Sequence, residues 1–205
     1  RVTFKSIDLK RIKGRKMNKD NYKPFLEGDK IYFVPVDEEV EDNYLKWIND
    51  REIIKHLETG HFPKSRRELV EYVKTINSSP NYVFFAVIEK KTNNYIGNAK
   101  LGPIDWINRT SEYGRMIGEK SAHRKGYGKE IAKLLLHYAF KILNLNKITA
   151  GAVADNIASI KSNEKIGLEI EGNLKEQIYQ NGLYKDAVRM GITRTKYLEL
   201  YHSEK

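Results

Sequence analysis

The sequence predicts a mixed α/β protein with a central sheet of about seven strands flanked by about four helices. Three observations predict it. Strand-like runs such as Tyr82 to Ile88 are interleaved with apolar residues at helical spacing. The elements follow the order strand, two helices, three strands, helix, strand, helix, two strands. Neither an internal repeat nor a strict strand–helix alternation appears, which argues against an α/β barrel.

IYFVPV, from Ile31, reads as a strand, and Pro35, lacking an N–H, places it at an edge. Val40 to Asn49 sets Val40, Tyr44, Leu45 and Ile48 at helical spacing. Ser65 precedes Glu68 by three residues, a capping box for a second helix that carries Leu69, Tyr72, Val73 and Ile76 and stops at Ser78-Ser79-Pro80. YVFFAVIEK is a strong strand, KKTNN a polar turn, YIGNAKLG the next strand, and TSEYGRMIG (110–118) the third. The most regular helix carries Ile131, Leu134, Leu135, Tyr138, Ala139 and Ile142. KITAGAV is a strand, and the helix after it has Asn156 as N-cap and Gly167 just past its end. LKEQIYQNGLYKDAVRMGI closes the chain as a hairpin about Asn181-Gly182, a type I′ turn pair.

Composition narrows the function. At 205 residues and 40% hydrophobic content, one core is expected, over residues 17–205. The longest apolar run, Tyr82 to Ile88, is a third of a membrane span, so the expectation is a soluble, cytoplasmic protein with no membrane partner. No cysteine is present, which removes disulfides, thiolate metal sites and a cysteine nucleophile; the five scattered histidines lack zinc-helix spacing, and no metal is expected. The net charge of +10 is concentrated: in residues 1–16, seven Lys and Arg against Asp8 give +6, leaving +4 for the rest. Residues 1–16 therefore read as a basic extension, disordered or upstream of a native start at Met17, rather than as a nucleic-acid arm.

The segment HRKGYGKE, 123–130, sits between the third strand of its group and the long helix. Glycines let successive N–H groups turn to one point and a helix N-terminus adds partial positive charge, so this arrangement suits an anion such as a pyrophosphate, with His123, Arg124, Lys125 and Lys129 adding to the field. A dinucleotide fingerprint would need a third glycine after Gly126 and Gly128, and a P-loop would need Gly-Lys-Ser/Thr; neither is present.

With its flanking strand and helix and the downstream NIAS…NEKIGL, this region resembles the GNAT superfamily of acetyl-CoA-dependent N-acetyltransferases. Gly126 and Gly128 match the family loop R/Q-x-x-G-x-G/A, with His123 standing where Arg or Gln is usual. Glu112, Gly114, Ile117 and Gly118 match its AEIGY-like strand, and Asn156, Ser159, Glu164, Lys165 and Gly167 match N-x-x-S…EKLGF of the ribosomal-protein acetyltransferase branch. The resemblance runs from about Lys30 to Thr195. It implies a GNAT fold with a splayed strand pair at the cofactor site. It also implies acetyl-CoA held by Met116, Ile117, Gly118, His123, Arg124, Lys125, Gly126, Tyr127, Gly128, Lys129, Asn156, Ser159 and Lys165. The reaction implied is acetyl transfer from a thioester to an amine, either a peptide N-terminus, a small molecule or a nucleotide-linked amino sugar.

An amine of pKa about 10.4 is protonated at neutral pH, so a base is required. Glu112 is the candidate, its pKa raised if it is partly buried; the alternative is an ion pair with a nearby Arg or Lys. The main-chain N–H near Ile117 is the expected oxyanion donor. Many relatives place a proton-donating tyrosine seven residues after the asparagine, but here that residue is Asn163, so the donor is Ser159, another tyrosine, water or the newly protonated amine. Ser159 is otherwise a first-turn residue, and Asn156 caps its helix whether or not it touches the cofactor. His56, Glu58, His61, Phe62 and Arg66 are the acceptor-binding candidates, against ordinary surface roles. Tyr32, Trp47, Phe62 and Trp106 offer stacking surfaces, though aromatics at such positions are more often core. The rival readings are a non-catalytic CoA-binding module and a nucleic-acid module. The exposed strand edges are compatible with a homodimer.

Overall fold

A computed structural model describes residues 23–37, 42–55, 57 and 62–201. The basic segment 1–16 lies outside the described residues. All eight described strands form one sheet in the order β1-β2-β3-β4-β5-β6-β8-β7. The strands are β1 (Leu26–Glu27), β2 (Ile31–Pro35), β3 (Val83–Glu89), β4 (Asn94–Asp105), β5 (Thr110–Ile117), β6 (Lys147–Val153), β7 (Glu169–Gln180) and β8 (Leu183–Thr193). Neighbours are antiparallel except β5 and β6, which are parallel.

The expected mixed α/β class and GNAT-type order are what the chain adopts, with one strand more than the seven read from sequence. That strand, β1, is two residues long and pairs only with Tyr32 and Phe33. Pro35 lies beyond its reach, on the part of β2 whose outer edge has no strand partner among the described residues, where a missing N–H costs nothing. Helices α1 (Asp42–Asn49), α2 (Arg51–Ile54) and α3 (Arg66–Ser78) lie on one face of the sheet; α4 (Tyr127–His137), α5 (Ile157–Glu164) and α6 (Arg194–Leu200) lie on the other.

The two faces have separate cores because strand residues alternate between them. Phe33, Phe85, Val87 and Leu101 pack with Ile131, Leu135 and Phe140 beneath α4. Val34, Phe84, Ala86 and Ile88 pack with Tyr44, Trp47, Leu69 and Val73 beneath α1 and α3. Ser65 caps α3 as its spacing predicts: its hydroxyl accepts from the Glu68 N–H at 3.2 Å, and Glu68 accepts from the Ser65 N–H at 2.8 Å. The long helix departs from expectation by loosening into a π-type turn over Tyr138–Ile142. Its start is pinned to the sheet by Glu130, whose carboxylate accepts from the N–H groups of Lys30 at 2.8 Å and Ile31 at 3.3 Å. Asn181 and Gly182 both take positive φ, 54° and 82°, the geometry of the I′ turn joining β7 to β8. The aromatic candidates divide: Trp47 is buried, whereas Trp106 is half-exposed and donates to the Pro80 carbonyl at 3.3 Å. No described helix is long and apolar enough to cross a membrane.

Candidate active site

The sheet opens between β5 and β6. Pairing there lasts three residues, ending at Glu112 opposite Thr149, while β5 continues to Ile117 and β6 to Val153. A cleft of about 570 Å3 occupies the opening and reaches both faces. Tyr44, Ile48, Tyr72 and Phe84 line it on the α1–α3 side; Asn156, Ser159 and Asn163 line it on the α5 side.

The main chain of β5 faces this gap at defined residues. Gly118 N–H donates to the Ile96 carbonyl on β4 at 3.0 Å. Main-chain groups of successive strand residues point to opposite edges, so the N–H of Ile117, and that of Arg115 two residues earlier, points toward the gap. The Ile117 carbonyl lies on the same open edge, where His123 Nε2 meets it at 2.9 Å.

Side chains of β5 divide between the faces. Toward α5, the Tyr113 hydroxyl and Arg115 converge on Asn163: Tyr113 donates to Asn163 Oδ1, Arg115 Nη2 donates to the same oxygen at 2.9 Å, and Arg115 Nη1 donates to the Tyr113 oxygen at 2.6 Å. Burial raises the Tyr113 pKa, partly opposed by the Arg115 charge. Toward α1–α3, Glu112 Oε2 accepts from Arg189 Nη1 on β8 at 3.0 Å, across Gly151 of β6. The Glu112 side chain is 44% exposed, so it is a solvated, ion-paired carboxylate rather than a desolvated one. Its Oε1 has no partner among the described residues and lies over Gly151, 3.5 Å from where a Cβ would stand.

Beside the same face lie Asn98 and Lys100 of β4, opposite Met116 and Gly114 respectively. Gly114 would carry its Cβ into open space, so the floor between Lys100 and Glu112 is clear. Asn98 is 4% exposed; its Oδ1 accepts from the Tyr95 hydroxyl at 2.6 Å, and its Nδ2 is buried without a partner.

The glycine loop sits at the end of β5. Gly126 is the N-cap of α4 in a left-handed conformation, φ 86°, that a larger residue would adopt only with strain. A Cβ on Gly128 would lie 3.6 Å from Arg115 Nε and 3.7 Å from Ile117 Cδ1, which sets the first turn of α4 directly against the mouth of the gap. The N–H groups of Lys129 and Glu130 donate to the Gly126 carbonyl at 3.1 and 3.3 Å, which leaves those of Tyr127 and Gly128 without an acceptor among the described residues, at the end that carries the helix's partial positive charge.

Of the residues singled out from sequence, Glu112, Met116, Ile117, Asn156 and Ser159 come together around the cleft. Others do not. The Gly118 N–H is spent on Ile96, and its α-carbon is covered by Trp47, whose Cδ2 would be 1.9 Å from an added Cβ; glycine is there for packing. The Tyr127 ring is buried, with its hydroxyl donating to Glu89, so only its main chain serves the loop. Lys125 leans to Glu89 at 4.0 Å, and the His123 ring folds back on β5. Arg124 and Lys129 are exposed beside the turn. Lys165 is exposed at the far end of α5, roughly 13 Å along its axis from Asn156. Asn156 accepts from the Ser159 N–H at 3.2 Å, the capping role, while still lining the cleft. Phe62 is 74% exposed and apart from the cleft, and Arg66 pairs with Asp42. His56, Glu58 and His61 lie outside the described residues. Asn98, Lys100, Tyr113 and Arg115 were not singled out; their signal was polarity alternating along two otherwise apolar strands. Among the described residues no cluster of three potential metal ligands occurs.

The sequence profile of the family described as Acetyltransferase (GNAT) domain matches residues 30–169. The SPbeta prophage-derived uncharacterized N-acetyltransferase YokL of Bacillus subtilis is 31% identical over 153 residues, 75% of this chain and 84% of that protein. Spermidine N(1)-acetyltransferase of Vibrio cholerae is 35% identical over 112 residues, 55% of this chain and 64% of that protein. The crystal structure of Vibrio cholerae spermidine N-acetyltransferase with CoA and spermine superposes with a TM-score of 0.76 at 28% identity, covering 83% of this chain and 99% of that one. A putative ribosomal N-acetyltransferase of Bacillus subtilis, 31% identical, covers 49% of this chain and 55% of that protein. The ribosomal-protein branch expected from NEKIGL is thus corrected: the resemblance to spermidine N-acetyltransferases is the more extensive.

Proposed function

The chain belongs to the GNAT acetyltransferase family, and on that premise we propose that it transfers the acetyl group of acetyl-CoA directly to the primary amine of a small molecule or peptide N-terminus. It is an N-acetyltransferase, and acetyl-CoA is its acetyl donor. The observation that carries the proposal is the gap after Glu112 and Thr149, which joins a face of main-chain donors to a face with a free carboxylate oxygen. The donor fits the residues present: the α4 N-terminus and its basic turn suit a diphosphate, and the outward N–H group of Ile117, next to that turn, suits an extended amide-bearing arm.

Acetyl-CoA supplies an activated acyl group. The acceptor amine enters from the α1–α3 side, where Glu112 Oε1 takes its proton directly or through one water. As the N–C bond forms and the C–S bond breaks, the Arg115 N–H donates to the carbonyl oxygen on which negative charge grows; the Ile117 N–H, expected in that role, lies about 16 Å along β5 from Glu112. The departing sulfur takes the hydroxyl proton of Tyr113, Arg115 stabilises the phenolate that remains, and the second proton shed by the new amide nitrogen passes to solvent, from which Tyr113 is reprotonated. Tyr113 thus fills the role left open when Asn163 replaced the expected tyrosine.

The relatives named as spermidine N-acetyltransferases make a polyamine one acceptor to test. The experiment is a thiol-release assay with acetyl-CoA against N-terminal peptides, nucleotide-linked amino sugars and polyamines. Release with at least one class is expected; none with any class, while CoA still binds, would leave only a CoA-binding module.

A further inference from the structure

We infer that the physiological acceptor amine carries an anionic group, a phosphate or a carboxylate, which Lys100 and Asn98 bind while the amine faces Glu112. This deepens the acceptor reading above and rests on it.

Among the described residues that line the cleft, the charged ones are Lys100, Glu112 and Arg115. Glu112 is already matched by Arg189, and Arg115 belongs to the opposite face with Tyr113 and Asn163. Among the described residues, Lys100 is therefore the unbalanced charge on the acceptor side. No carboxylate lies against it among the described residues. Its Nζ is 3.4 Å from the Tyr72 hydroxyl and about 6 Å from the centres of the Tyr72 and Tyr82 rings. These aromatic contacts hold the ammonium in place without neutralising it.

Asn98 adds an independent observation. It lies two residues before Lys100 on the same face of β4, and its Nδ2 is a buried donor lacking an acceptor. A buried amide left unpaired costs about 1–3 kcal/mol, so this N–H calls for an oxygen from a ligand or a water. An unmatched ammonium on the cleft wall makes a site for an anionic oxygen, and the unmatched Asn98 amide, closed to solvent in this conformation, joins it when a bound anion draws the side chain toward the cleft. Strand geometry puts Lys100 and Glu112 diagonally across β4 and β5, roughly 8 Å apart between Cα atoms, with open space above Gly114 between them. A compact molecule with an amine at one end and an anion a few bonds away spans that floor. A polyamine would bring a second ammonium against Lys100, where like charges repel.

The test uses the full chain and matched amines: O-phosphoethanolamine against ethanolamine, β-alanine against β-alaninamide, and spermidine. Thiol release gives kcat/KM, and calorimetric titration of the CoA-bound protein gives acceptor affinity. For the anionic member of at least one pair we expect about a tenfold advantage over its neutral partner, a loss of that advantage in Lys100→Gln, and little change for the neutral amine. Lys100→Met, which keeps the stem against Tyr72 and Tyr82, should behave alike and controls for misfolding; Lys100→Glu should favour spermidine. Which pair shows the advantage separates phosphate from carboxylate. Better use of spermidine than of either anionic amine, or an anion advantage that survives Lys100→Gln, overturns the inference and leaves acetyl transfer standing. Absence of thiol release with every amine tells against the acceptor reading itself. Calorimetry then decides the anion site alone: binding of the anionic amine that Lys100→Gln abolishes upholds it, and no binding overturns it.

Discussion

Replacing Glu112 by Gln tests the proposed base against its alternative as a mere partner of Arg189. The substitution keeps the shape and removes the charge, leaving Oε1 unable to accept a proton. Loss of a positioned general base lowers turnover by about a hundredfold or more, equivalent to about 2.7 kcal/mol in the barrier. The ion pair cannot account for a loss of that size: both side chains are nearly half-exposed, 44% and 45%, and such pairs contribute about 0.2–1 kcal/mol. Stability should accordingly fall little. CoA affinity should stay within about threefold, because Glu112 faces α1–α3 while the α4 turn, Asn156 and Ser159 lie on the other side. Thiol-release kinetics, calorimetric titration with CoA and thermal melts read the three quantities. Arg189→Gln separates the two explanations, since it breaks the same pair while retaining the carboxylate, and it should cost under tenfold in kcat. Unchanged turnover in Glu112→Gln, or an equal loss in Arg189→Gln, would refute the assignment.

Further expectations concern other parts of the structure. Tyr113→Phe should lower kcat by about 10–100-fold with CoA affinity within about threefold, measured by the same assay and titration; unchanged kcat would return the proton to water or to the amine. Gly118→Ala should destabilise the fold by about 1–3 kcal/mol in a denaturant titration, because the added Cβ meets the buried Trp47 ring. Tyr127→Phe should cost about 2 kcal/mol, since it removes a buried hydroxyl that donates to a carboxylate. The stability difference between the native chain and Glu89→Gln should depend on pH. Hydrogen bonds from Thr92 and Tyr127 hold the Glu89 pKa below its ordinary value, so its contribution is present above the unfolded carboxylate range and lost as pH falls through the lowered folded value. The same hydrogen bond pushes Tyr127 up to about 12, so that contribution is full below the ordinary tyrosine value of about 10 and is lost as pH rises from there through about 12.

Local signals carried most of the fold. The capping box at Ser65, the Asn181-Gly182 turn and the Asn156 cap depend on hydrogen bonds spanning two or three residues, and each appears as its spacing implies. Elements set by tertiary context were not legible. The two-residue β1 exists because β2 offers it an edge, and α6 packs Tyr197 onto Phe140, far away in sequence. The site divides along the same line. Glycine positions at 126 and 128 were readable, but no spacing rule reveals that the Tyr127 ring turns inward to Glu89, or that Gly118 makes room for Trp47. Lys100 and Asn98 escaped notice because one polar residue in a strand looks solvent-facing. Only pairing with β5 shows that they face the opening.

The arrangement explains why a single strand can serve two substrates of unlike chemistry. Alternation along β5 sends Tyr113 and Arg115 to one side and Glu112, Gly114 and Met116 to the other, while its unpaired edge presents main-chain donors between them. Loss of pairing with β6 after Thr149 is what makes that edge available; an intact sheet would use the same N–H groups for its own ladder. The proton-donating and proton-accepting groups therefore sit on opposite faces, about one residue apart along the strand. A donor at Tyr113 and an acceptor at Glu112 cannot neutralise each other directly through the sheet, and only a molecule spanning the gap connects them. A residue that restored strand pairing beyond Thr149 would abolish this connection even with every side chain in place, so activity follows the opening itself as much as the groups that line it.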